Sequence, residues 1–450
     1  MALGGGIFQT MNKTLPGTYI NFVSAARASS ALSDRGIAAV PLALDWGPDG
    51  EVFEVIPEDL IQNSRKVFGH DYGDDALLPL REIFCNARVL YTYKLGNATK
   101  AANEFATAKY GGTRGNDIRI VIAKNVDDPE KWDVTTLLDT AKIDTQTVSA
   151  AGDLQPNDFV DWKQGFELAA TAGTPLTGGE NGEITGENYQ DFLNRIDAYS
   201  FHCLGCPTDD ESTKELFVAY TKRMRDEVGK KFQLVGHKLG TVDFEGCISV
   251  ENDVANEGAL VGQAVVGDVK VGGDAYALVY WLTGAEAACA VNASCTNKVY
   301  DGEYAIQASY TQRELEDGIK AGKLMFHLVD GEPRILEDIN TFTSFTASKN
   351  SDFSLNQVIR VLDQIANDVA VTFANMFLGK VQNDQSGRVS LWNEIVNLHD
   401  QLLQLRAIED FNSKDIVVDA VENDKRAVVE TESVKPVCAM EKLYMTVTVE

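Results

Sequence analysis

Basic residues, long apolar runs, cysteine and histidine are all scarce in this chain, and each shortage removes a class of function. Forty Lys and Arg stand against 67 Asp and Glu in 450 residues, a formal net charge of −27. Nucleic-acid binding and adhesion to anionic lipid both rest largely on cations meeting phosphate, so neither is expected. The acidity instead keeps a concentrated protein apart until specific contacts overcome repulsion. No apolar run approaches the ~20 residues that span a bilayer. The first residues do not place an apolar stretch behind a basic one, so no secretory leader is expected. The chain is therefore expected to fold and stay in a cytoplasm unless lysis releases it, which weakens a reading as a secreted surface-layer or adhesion protein. Seven cysteines, Cys85, Cys203, Cys206, Cys247, Cys289, Cys295 and Cys438, are odd in number and scattered. They are no disulfide framework, and a reducing compartment is the simpler view.

Catalytic motifs are missing too. The chain has no G-x-S-x-G elbow, no HExxH and no GxGxxG, and its five histidines, His70, His202, His237, His327 and His399, are far apart. The spacing of Gly173, Gly178 and Gly179 imitates a phosphate loop but lacks the Lys and Ser/Thr that touch phosphate and magnesium. Asp384, Ser386 and Gly387 imitate the centre of a calcium loop, yet its bidentate position falls on Asn393, so a turn is the better reading. Cys203-Leu204-Gly205-Cys206 is a single C-x-x-C beside His202, which invites a thiol-redox reading. One pair cannot build a four-ligand zinc site, and buried structural cysteines at a strand end are the plainer account. No cofactor, metal or catalytic residue is nominated. A cytoplasmic α/β enzyme, a hydrolase or a thiol oxidoreductase using Cys203 and Cys206, stands as the alternative to a structural role.

What is present is enough apolar material, 44%, for two to four domains. Residues 1–26 read as an extended arm and 27–95 as a small α+β unit, with strands at 37–44, 51–56 and 88–94 and helices at 57–67 and 76–86. Residues 97–109 read as a further helix. Short strands at 117–123, 132–138 and 144–148, rich in Val, Ile and Thr, place a β-sandwich or barrel within 96–182. The glycine-rich stretch 173–186 reads as a linker. Over 183–335 strands and helices alternate, which predicts a doubly wound, mostly parallel sheet. In it, Thr208 and Glu211 are expected to form a capping box. Residues 336–450 form a C-terminal α+β unit with long helices at 353–378 and 390–408 and strands at 416–421, 427–430 and 443–449. The fold class is thus a multidomain mixture of α+β and α/β units.

The two ends share an extended, apolar character. Thr18, Tyr19, Ile20, Asn21, Phe22 and Val23 have no helical period and no partner strand nearby in sequence. At the other end Leu443, Met445, Val447 and Val449 alternate with Tyr444, Thr446 and Thr448. A free apolar strand must pair with something. From the residues alone, pairing inside the subunit is the simpler reading and strand exchange between subunits the other.

Several stretches together, GGGIFQTMNKTLPGTYINFVSA at the start, AKYGGTRGNDIRIVI at 108–122, TAGTPLTGGENG at 171–182, RILEDINTFTSFT at 334–346 and SVKPVCAMEKLYMTVTVE at 433–450, resemble a contractile tail sheath protein. Such proteins occur in myophages, defective prophages and R-type bacteriocins, and the likeness is to those of Gram-positive hosts. It spans nearly the whole chain. It implies that the 183–335 block is subtilisin-like in topology, and no Ser/His/Asp set matches, so no protease activity is implied. It further implies six-fold rings stacked around a tail tube protein, with baseplate and tail-terminator proteins as further partners, assembly in the host cytoplasm, and membranes met only through contraction. It reverses the reading of the ends: residues 18–23 and 443–449 become strands shared with neighbours. Glu394, Asp400, Arg406 and Glu409, placed along the last long helix, are the candidates to face the tube.

Overall fold

The computed structural model describes residues 31–255 and 273–449. Residues 18–23 of the expected arm lie outside this range. At the centre is a seven-stranded sheet in the order Lys323–Leu324, Cys247–Val250, Gln233–His237, Cys203–Cys206, Ile37–Leu42, Val89–Lys94, Val52–Val55. Its first six strands run parallel and the last is an antiparallel edge. Strand-rich apolar runs buried on both faces are what a parallel sheet requires, and alternate residues sort accordingly. Ala38, Val40, Cys203, Val235 and Ile248 face one core, beneath the helix Leu278–Ala288. Ala39, Leu204, Cys206, Leu234 and Cys247 face the other, beneath Gly186–Ile196 and Glu211–Arg223.

The α+β unit expected over 27–95 contributes three strands to this same sheet, so the 27–95 and 183–335 segments are one body. Two local expectations over these segments are corrected. The helix Glu211–Arg223 is capped by Asp210, whose side chain accepts from the Thr213 N–H at 2.8 Å, while Thr208 accepts from the Asp210 N–H and shapes the approach. The helix expected over 57–67 is two short ones, Pro57–Ile61 and Ser64–Phe68.

Residues between these two halves form the β-sandwich. An antiparallel sheet of Ala141–Val148, Trp132–Leu138, Ile118–Lys124 and Thr174–Pro175 packs with the ladder Ala106–Ala108/Val160–Trp162 over Ile118, Ile120, Ile122, Val134 and Phe159. The predicted helix at 97–109 does not form. Its alanines are there for thinness: a side chain on Gly115 would meet Ala101 and Ala108 at 3.0 and 3.2 Å. The Asn103 carboxamide captures the N–H groups of Phe105 and Ala106, a turn that competes with helix. Nor is 173–186 a free linker. Leu176 is fully buried, and Thr177 and Glu180 pair with Ala102 and Thr99.

That pairing creates the seam between sandwich and sheet. Gly112 has φ +123°, and a Cβ there would lie 2.0 Å from the Asp45 carbonyl, so only glycine fits. The next residues lock the approach. Asn181 accepts from the Thr113 N–H at 2.8 Å, and Arg114 bonds the Gly69 carbonyl at 2.7 Å while holding Asp139 through both its terminal nitrogens.

The C-terminal unit is built on the helices Asn356–Thr372 and Gln385–Gln404. The helix expected over 353–378 gives way to a single wide turn, Phe373–Phe377, and ends there. Val361, Ile365 and Leu402 form one small core between the helices, and Leu391, Ile395 and Ile416 another. The hairpin Val417–Ala420/Val428–Thr431 and the short ladder Ile408–Glu409/Lys435–Pro436 complete the unit.

Candidate subunit-interface surfaces

Two places in the sheet had the residue types of an active site, and neither makes one. Cys203 and Cys206 are buried on opposite faces of the sheet. Three residues apart in a strand, they point away from each other, so the C-x-x-C cannot close. Burial pushes both thiols well above their ordinary range. His237 is also buried at its strand end, its Nδ1 3.0 Å from Asp209 Oδ1 and its Nε2 2.9 Å from Asp253 Oδ1. Carboxylates thus occupy both nitrogens, leaving neither free to activate a nucleophile.

A third cluster is structural. Among the described residues, Glu286, Cys295 and Asp338 place potential metal donors within 4.8 Å of one another. Arg360 already supplies the cation: its Nη2 lies 2.6 Å from Glu286 and 3.3 Å from Asp338, and its Nη1 donates to the Ala293 carbonyl at 2.7 Å. Burial raises Asp338, but the guanidinium charge together with hydrogen bonds from the Cys295 N–H and the Asn356 carboxamide outweighs it and holds the carboxyl below its ordinary value. Glu286, buried beside the Asp338 charge, is pushed well up instead. Nearby, Arg225 grips Asp363 through two nitrogens at 2.6 and 2.8 Å, and Gln233 bonds Asn356 at 2.8 Å. Arg360, Asp363 and Asn356 all belong to the helix Asn356–Thr372, which these bonds fasten to the central sheet. Sequence reasoning nominated none of them, because partners 22 to 138 residues apart carry no local pattern.

The surface that stands out is the chain's last stretch. Gln357 holds it to the body, donating to the Val437 carbonyl and accepting from the Ala439 N–H. Glu441 then reaches Thr296 at 2.7 Å. Beyond Lys442 the chain leaves the surface. Leu443, Tyr444, Met445, Val447 and Val449 are 88, 91, 76, 72 and 89% exposed, and no ladder joins them to a described strand. The segment expected as a strand at 443–449 therefore pairs with no strand among the described residues. Apolar alternation without burial is not how a soluble subunit completes itself.

The four residues proposed to face a tube do not share one helix. The Gln385–Gln404 helix carries half-buried Glu394 and exposed Asp400, but it stops before Arg406. Arg406 turns the chain with φ +61°, and Glu409 lies on the strand that follows.

Four family models match this chain almost end to end. They are the tail sheath protein Gp18 domain III N-terminal region at residues 35–95, the phage tail sheath protein beta-sandwich domain at 95–181, the central domain at 182–341 and the C-terminal domain at 348–450. The phage-like element PBSX protein XkdK of Bacillus subtilis (strain 168) is 30% identical, over 99% of this chain and all of that protein. The chain belongs to the phage tail sheath protein family. Among solved structures, the sheath tail protein of Desulfitobacterium hafniense is 36% identical and covers 95% of this sheath protein and 99% of its own length, with a TM-score of 0.80. That of Listeria innocua is 29% identical, covering 93 and 96%, with a TM-score of 0.77. The contracted helical sheath of the anti-feeding prophage shares the fold at 12% identity, with a TM-score of 0.55 over 97% of this chain and all of that one. The molecule is a structural subunit of a contractile sheath and not an enzyme, which sets the α/β enzyme alternative aside.

Proposed function

We propose that this sheath protein polymerises as stacked six-fold rings around a tail tube protein, between a baseplate and a tail terminator, and contracts to drive the tube through a cell envelope. Assembly takes place in the host cytoplasm, and the protein leaves as part of a particle tail. The observation that carries the reading is the alternating segment at 443–449, which pairs with no described strand and whose apolar side chains are exposed. Lent to a neighbour, it would pair by strand addition, with main-chain bonds giving affinity and alternate side chains giving register. An acceptor is available in each copy. The hairpin Val417–Ala420/Val428–Thr431 is two-stranded among the described residues, with no described strand on either edge, and Val417 and Val429 are exposed on it. Residues 18–23 are the second strand of the exchange.

A contact from one subunit's tail to another's body is heterologous, and repeated heterologous contacts that do not close give a helical stack. Rigid bodies joined by short extended tethers can repack without unfolding, the requirement for a sheath with extended and contracted states. Glu394, Asp400, Arg406 and Glu409 are the residues assigned to the tube side, and the central sheet takes a subtilisin-like topology stripped of catalysis. Negative-stain microscopy of the purified protein, alone and with tube protein, tests the reading. Hollow tubes or ring stacks with six-fold end views are expected. Monodisperse single subunits at every concentration, with tube protein present, would contradict it.

A further inference from the structure

Cys289 closes the buried helix Leu278–Ala288, its N–H donating to the Ala285 carbonyl at 2.9 Å. At the far end of the 289–295 loop, the Cys295 sulfur comes within 3.9 Å of the same carbonyl oxygen. One oxygen thus gathers both cysteines, and the Cys289 thiol reaches the Ala293 carbonyl, within the loop between them, at 3.5 Å. Both line a surface cleft of about 340 Å³, into which Cys289 is half open. The loop between them is also the splice to the C-terminal helices. Val291 packs with Val361 and Leu402, the Asn292 side chain donates to the Leu405 carbonyl at 2.8 Å, and Arg360 donates to Ala293.

We propose that Cys289 and Cys295 are a reversible disulfide-forming pair, and that the bond, when made, pins the loop joining the central sheet to the C-terminal unit. The oxidant is a low-molecular-weight disulfide. The Cys289 thiolate attacks one of its sulfurs and expels a thiolate, leaving a mixed disulfide on Cys289. Cys295 then gives up its proton and attacks the Cys289 sulfur, expelling the second thiolate. The protein loses two electrons and two protons, and the oxidant leaves as two thiols.

The surroundings assign the order of attack. Cys289 is half open and Cys295 buried, and contact with Cys295, aided by the Arg360 charge and against burial, holds the Cys289 thiol below its ordinary value. Burial drives the thiols of Cys85 and Cys247 up to about 12, and those of Cys203 and Cys206 beyond. The more accessible thiol, held below its ordinary value, is the one that reacts first.

The test treats the native full-length protein with oxidised glutathione, blocks remaining thiols, and maps tryptic peptides without reduction. No Lys or Arg lies between Lys270 and Lys298, so both cysteines fall on one peptide. That peptide is expected to be two hydrogens lighter and unlabelled, and dithiothreitol should restore it. In Cys295→Ser, Cys289 should stop as the glutathione adduct. Retention of both thiols in the native protein, a lasting adduct on native Cys289, or coupling of either cysteine to another partner would overturn the proposal. The native map decides alone, whether or not the variant folds.

Discussion

Arg360 and Glu82 show how two buried charges are handled differently. Arg360 is fully buried with a carboxyl on each side and a carbonyl ahead. Removing one member of a buried pair strands the other, which typically costs about 3–5 kcal/mol. Arg360→Met is therefore expected to lower unfolding free energy by that order in urea titration, since Asp338 is left buried without its partner and must either bear an unpaired charge or take up a proton. A loss under about 1 kcal/mol would show that the network contributes little. Among the described residues no cation forms an ion pair with Glu82. Burial, against hydrogen bonds from the Tyr300 hydroxyl and the Glu303 N–H, raises it from 4.5 to about 7. The folded chain then keeps a proton that the unfolded chain has already released. The contribution is full below pH 4.5 and is lost as pH rises to about 7, on the order of 3 kcal/mol. Melting temperatures measured across that window should fall less with pH in Glu82→Gln than in the native protein. Parallel curves would refute the assignment.

At the scale of elements, close approach of backbones does much of the work that sequence periodicity cannot show. The helix Leu278–Ala288 lies so near Leu78–Phe84 that a Cβ on Gly284 would sit 2.3 Å from the Ile83 carbonyl. Gly112 meets Asp45 in the same way across the sandwich seam. Alanine at either site must push backbone aside, and a loss of about 1–3 kcal/mol or more in unfolding free energy is expected. An unchanged Gly112→Ala protein would mean that the seam is looser than its hydrogen bonds indicate. The same feature explains what was and was not legible. The strands at 37–42, 203–206, 233–237 and 247–250, which the sequence placed at 37–44, 199–205, 232–236 and 247–250, were readable because a parallel sheet buries continuous apolar runs. The alanines of 97–109 read as helix and the glycines of 173–186 as linker because the small residues serve partners distant in sequence. Cys203 and Cys206 drew attention by spacing, yet strand geometry parts them. The reactive pair Cys289 and Cys295 had no motif, and only the end of a helix brings it together.

For the whole molecule, the central claim is that the subunit is finished only by its neighbours. The body holds itself together through two-faced sheet packing and the bonds of Arg225, Asn356 and Arg360, none of which involves residues 443–449. The likeness to whole sheath sequences fixed the family from the ends as much as from the core, but which neighbour takes each end is written in no single chain. Removal of residues 443–450 separates folding from assembly, and microscopy paired with thermal unfolding measures both. The account predicts a truncated protein that melts within a degree or two of the full chain, since exposed residues contribute little to stability, yet forms no tubes where the full chain does. Tubes of equal length and order from the truncated protein would contradict it.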